Sequence, residues 1–87
     1  MALTFLNQSR TYDLTRRAVR FWGHHNTMEA SFFVMVDALR KIQPGVLSDE
    51  ASLLRAFDLN RDLICATAAK VFQRGSKGSY DLVASDF

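Results

Sequence analysis

Over residues 48–74 the apolar positions recur with the spacing of a helix. At about 100° per residue, Leu53, Phe57, Ile64, Ala68 and Val71 share one narrow face, and Leu54 and Phe72 widen it. One charge interrupts this stripe: Arg61 projects into the same sector, between Phe57 and Ile64. A charge at a core-facing position must be paired, carried to water on its own stem, or used by a ligand. Ser48 reads as the N-cap, with Asp49 and Glu50 in the first turn, where negative charge suits the helix dipole. Gly75, after Lys70 and Arg74, reads as the stop.

Upstream the period shifts toward two. Residues 3–12 hold a short first strand, and residues 13–17 form a turn in which Asp13 and Thr15 bond their own backbone. Residues 18–23 and 28–36 alternate as two further strands, the second rich in Phe and Val. A four-residue loop over 24–27 sets Trp22 opposite Glu29, Phe21 opposite Ala30, Arg20 opposite Ser31 and Val19 opposite Phe32. That register gathers Val19, Phe21, Ala30, Phe32 and Val34 on one face and Arg20, Trp22, Glu29 and Ser31 on the other. A one-residue slip would mix the two faces. Asp37 reads as the N-cap of a short helix over 38–42, which stops before the breaker pair Pro44-Gly45. Lys77-Gly78 turns the chain into a last strand, with Tyr80, Leu82 and Ala84 on one side. Strands and helices are grouped rather than alternating, so the class is α+β. The expected architecture is a small antiparallel sheet of three N-terminal strands plus a C-terminal strand. One long helix packs on one face, with a short helix before it, in a single domain over residues 1–87.

Composition bounds what such a fold can do. Apolar residues make up 48% of the chain and charged residues 23%, which suits a packed core rather than disorder. The net charge of +2 is mild and its charges are interspersed, so charge alone argues for neither nucleic acid nor a membrane surface. The single Cys65 fits a reducing compartment, and the cytoplasm is the expected location. Neither a signal peptide nor a membrane span is expected.

Several short stretches resemble the bacterial family called domain of unknown function 1488. They are Arg10-Thr11-Tyr12-Asp13, Ala18-Val19-Arg20-Phe21, residues 32–36 with Asp37-Ala38-Leu39, Ala56-Phe57 and Arg61-Asp62 through Ala68-Ala69-Lys70, and residues 78–82 with Asp86-Phe87. The resemblance spans nearly the whole chain. It implies an α+β fold and a bacterial source, and it supplies no catalytic residues.

Candidate chemistry is sparse. His24 and His25 point to opposite faces of a strand and cannot share a metal, and Cys65 lies far away on the helix. Cys65 sits at the edge of the apolar stripe, where a free cysteine is a small hydrophobe. Asp58 and Asp62 form a like-charge pair that Arg55 is placed to offset. The glycines lie in turns and caps, and none forms a phosphate loop. No catalytic residue, cofactor or metal is expected, and neither is an enzyme. The sharpest pattern is basic and aromatic: Arg16, Arg17 and Arg20 share a hairpin with Trp22, and a sheet face of this kind stacks bases and holds phosphates. Arg61 is the candidate for an anion site or salt bridge, with Asp13, Asp81 or the C-terminal carboxylate of Phe87 as partners. Leu59 and Leu63 lie opposite the main stripe and point to a homodimer, unless the short helix or the N-terminal segment covers them. The expectation is a small non-enzymatic binding or regulatory module of a bacterial cytoplasm, with nucleic-acid binding its specific form. The alternative is an enzyme with a shallow anion site around Arg61.

Overall fold

A computed structural model describes residues 3–5, 9–25, 28–73 and 79–87. The expected helix stop at Gly75, the turn at Lys77-Gly78, the Arg74 and Lys77 side chains and the hairpin tip at Asn26-Thr27 lie outside the described residues. The chain runs β1 (Arg10–Asp13), β2 (Ala18–His25), β3 (Met28–Met35), α1 (Val36–Ile42), α2 (Glu50–Leu59), α3 (Arg61–Gln73), β4 (Ser79–Leu82), then a single 3₁₀ turn at Ala84–Asp86. The class is α+β, and the strand order is β1-β2-β3-β4.

The sheet is mixed rather than antiparallel. β1, β2 and β3 pair antiparallel through short turns, whereas β4 lies parallel to β3. Parallel neighbours need a long crossover. The three helices between β3 and β4 provide it, returning the chain to the start of β3.

The β2–β3 register differs from the expected one by two residues. Trp22 faces Ser31, His24 faces Glu29 and His25 faces Met28, so the strand pairing extends to His25 and Met28. A two-residue shift preserves the faces, because side chains alternate with period two. Val19, Phe21, Ala30, Phe32 and Val34 are therefore all buried together, as their pattern required.

Gly23 is not a turn residue. It lies inside β2 opposite Ala30. A Cβ there would stand 2.9 Å from Phe5 Cε1 and 3.2 Å from Phe32 Cε2. Its missing side chain leaves room for Leu3 and Phe5, which flank Thr4 where it bridges antiparallel to His24 through two N–H to carbonyl bonds of 2.8 and 2.7 Å.

The long helix is two helices. Asn60 stands between them at φ −115°. Its N–H donates to the carbonyls of Ala56 and Phe57, and its side-chain amide donates to the Ala56 carbonyl (2.9 Å) and Gln43 Oε1 (3.1 Å). Asparagine competes for backbone bonds in this way, which disfavours it inside helices. The apolar stripe continues across the break: Leu53, Phe57, Ile64 and Ala68 are all buried. The α2 N-cap is Asp49, not Ser48. Its carboxylate accepts from Ser52 N–H (3.0 Å) and Ser52 Oγ (2.8 Å), and these bonds hold its pKa below the usual carboxylate value. Asp37 is no cap either: α1 begins at Val36 behind Met35, and Asp37 sits in the first turn.

The core lies between the helices and one face of the sheet. Phe21 is its centre, with ring centroids 5.4 Å from Phe32, 5.0 Å from Phe57 and 5.9 Å from Phe5. Phe32 continues the stack onto Tyr80 at 5.2 Å, and Phe72 closes over Tyr80 at 5.6 Å.

Candidate binding face of the sheet

Because the helices take one face, strand alternation puts a different set on the other. β2 contributes Arg20, Trp22 and His24. β3 contributes Glu29, Ser31 and Phe33, and β4 contributes Ser79 and Asp81. Phe33 is the anomaly. It faces away from the helices yet is only 6% exposed. Two arginines cover it: the Arg16 guanidinium lies 4.2 Å from the ring centroid and that of Arg20 lies 5.6 Å away. Arg20 also lies 5.0 Å from the Trp22 ring. The result is a row of alternating cations and aromatics, Arg16, Phe33, Arg20, Trp22.

The row is held by light polar contacts. Arg20 Nη2 donates to Ser31 Oγ at 3.1 Å, while its Nε is buried with no hydrogen-bond partner among the described residues. Arg16 reaches across β3 to Asp81, Nη1 to Oδ1 at 3.1 Å, with both side chains about half exposed. Exposed pairs of this kind contribute roughly 0–1 kcal/mol, so an incoming anion can replace the aspartate. At the far end His24 Nε2 lies 3.4 Å from Glu29 Oε2.

Of the four basic and aromatic candidates, Arg16, Arg20 and Trp22 meet on this face. Arg17 does not. It sits in the β1–β2 turn at φ +56° and lines a separate cleft with Arg16 and Arg40. The new register also moves Glu29 from Trp22 to His24, taking a carboxylate away from the indole. Sequence reasoning missed Phe33 and offered Asp81 to Arg61, whereas Asp81 pairs with Arg16. The signal for Phe33 was present, since adjacent phenylalanines at 32 and 33 of one strand must place one ring on each face. Asp81 joins only through the parallel pairing of β4.

Arg61 finds a partner that was not expected. Its guanidinium lies 4.8 Å from the Phe57 ring and 3.8 Å from Asp58 Oδ1. Asp58 is also gripped by Arg10 of β1, with Nε and Nη2 each 2.9 Å from a carboxylate oxygen. Arg10, rather than Arg55, therefore offsets Asp58. The Arg10 hydrogen bonds hold the Asp58 carboxyl below its ordinary value, with a smaller contribution from the charge of Arg61. Asp13 instead accepts the Arg16 N–H of its own turn at 3.1 Å.

The remaining candidates stay apart. His24 lies on the open face, and His25 packs its ring 5.8 Å from Phe72 on the core side. Half-burial pushes the Cys65 thiol up, away from the reactive thiolate. Among the described residues, no three His, Cys, Asp or Glu side chains group to hold a metal. No helix of the described residues is long and apolar enough to cross a membrane. Neither α1 nor residues 3–5 cover the second helix face: Leu59 is 70% exposed and Leu63 48%.

Comparison with known proteins follows the fold. The family model described as "Protein of unknown function (DUF1488)" matches residues 3–83. The chain belongs to that family. A crystal structure of a DUF1488 protein of unknown function from Shewanella loihica PV-4 is similar, with a TM-score of 0.81 at 18% identity. The match covers 92% of this chain and 90% of that one, and it shows that the two DUF1488 proteins share a fold. No curated protein matches.

Proposed function

We propose that the chain is a non-catalytic binding module of a bacterial cytoplasm, and that the helix-free face of its sheet holds single-stranded nucleic acid. The row of Arg16, Phe33, Arg20 and Trp22 carries this reading. Flat aromatic and guanidinium surfaces stack bases, and the same cations take phosphates. The single cysteine supports the reducing compartment.

Trp22 is the only tryptophan and reports directly on the face. Titration with short single-stranded RNA or DNA at low salt is expected to change its emission saturably. The affinity should fall as salt rises, because bound cations release counterions from the strand. Arg20→Gln should weaken binding by about tenfold, the scale of one lost stacking contact. Unchanged Trp22 emission together with flat anisotropy of a labelled strand would overturn the reading.

An enzyme built around Arg61 is the weaker reading, because Asp58, 3.8 Å from its guanidinium, is held ionised by Arg10 and is a poor proton acceptor. Self-association is a second reading of a different kind, favoured by the exposure of Leu59 and Leu63.

A further inference from the structure

We propose that the cleft between the β1–β2 turn and α1 binds a terminal phosphate monoester, the end of a strand lying on the sheet face. This rests on the nucleic-acid reading above and names the part of the strand that is recognised. The cleft has a volume of about 320 Å³ and is lined by Arg16, Arg17, Met35, Val36, Asp37 and Arg40. Three arginines and one aspartate line it, a formal charge of +2 once an incoming anion displaces Asp81 from Arg16. A phosphate monoester carries about −1.5 to −2 at neutral pH. A backbone diester carries a single negative charge, so the cleft matches a strand end better than a strand interior. Guanidinium forks also suit the three terminal oxygens better than ammonium groups do.

The three arginines are placed differently, and each placement counts. Arg17 holds a left-handed backbone that a non-glycine residue seldom adopts, and its carbonyl accepts the Val36 N–H at 3.1 Å, which ties the turn to α1. Among the described residues, no hydrogen bond or ion pair engages its guanidinium. Arg40 donates one N–H to Ser48 Oγ, which leaves other donors of its fork for a ligand. Arg16 belongs to both sites. It lines the cleft and caps Phe33 at 4.2 Å, so the stacking row leads straight to the cleft. Met35 and Val36 supply an apolar wall.

The test is a fluorescence anisotropy titration with one short labelled single strand in three forms: 5′-phosphorylated, 3′-phosphorylated, and hydroxyl at both ends. One phosphorylated form is expected to bind about tenfold or more tighter than the hydroxyl form, the scale of a charge-assisted contact. Arg17→Gly is expected to remove most of that preference. Glycine accepts the left-handed backbone without strain, so this variant keeps the fold, and a thermal midpoint at or above that of the parent verifies it. Equal affinity for all three forms would overturn the cleft while leaving the face reading intact. Binding of none of them would overturn both. A phosphate preference that survives both Arg17→Gly and Arg40→Gln would place the strand end elsewhere and overturn the cleft.

Discussion

Arg61 and Phe33 show how single residues resolve a conflict between polarity and position. Arg61 lies in an apolar stripe, and its stem and plate rest on Phe57 while its head shares Asp58 with Arg10. Its conflict with the stripe could be read from periodicity. Its partner could not, because Arg10 reaches Asp58 only once β1 is laid beside α2. The triad joins sheet to helix and has a pH signature. The folded Asp58 pKa lies below its ordinary value near 3.8. The pair's contribution is therefore complete above that value and is lost as pH falls through the lower folded value. Both partners are substantially exposed, so the contribution is small, at most about 1 kcal/mol. Asp58→Asn should thus lower unfolding stability by up to about 1 kcal/mol near neutral pH. Denaturant titrations of the two proteins should converge as pH falls below 3.8 and through the lower folded value. A gap that persists there would mean that packing, not charge, links Asp58 to Arg10.

At the level of elements, the sequence carries faces better than ends. Alternation put Val19, Phe21, Ala30, Phe32 and Val34 together, and the helical period put Leu53, Phe57, Ile64 and Ala68 together. Both survive errors of loop length and helix continuity, since a two-residue slip or a one-residue break leaves the periodic faces in place. Boundaries depend on local bonds instead. Asn60 ends α2 partly through Gln43, which is seventeen positions away in the chain. Glycine punctuates turns more often than strands, so the sequence alone points Gly23 to a turn. Its role in β2 arises from residues 3–5, whose side chains occupy the space a Cβ would need. Gly23→Ala is therefore expected to cost about 1–3 kcal/mol through overpacking against Phe5 and Phe32. The loss should be local first. Amide exchange at Thr4 and His24, which bond each other across this segment, should accelerate more than exchange at Val19 or Val34. Uniform acceleration across β2 and β3 would point instead to a general loss of core packing.

For the whole molecule, two surfaces remain after the core is built. The sheet face is polar and aromatic, whereas the outer side of α2 and α3 sets exposed Leu59 and Leu63 among charged residues such as Arg55, Asp58, Asp62 and Lys70. The radius of gyration is 12.1 Å, close to the about 12 Å expected of a compact chain of this length. So small a domain has little interior left in which to hide Leu59 and Leu63, and Leu47, at 67% exposed, shares a shallow groove with Leu59. Sequence periodicity placed Leu59 and Leu63 opposite the core stripe, but whether another element covers them is a question of tertiary structure. The helices and the sheet leave them open. A second copy covering that side would keep its partner surface clear of the sheet face, so self-association and strand binding are compatible. Light scattering over a concentration series should then show the mass rising from 9.9 kDa toward twice that value. Leu59→Glu with Leu63→Glu should return it to the monomer without changing the thermal midpoint at low concentration, because both side chains project from the fold. A mass fixed at 9.9 kDa at every concentration would end the dimer reading. It would leave Leu59 and Leu63 as plain surface, and the sheet face with its adjoining arginine cleft as the contact surface the described residues offer.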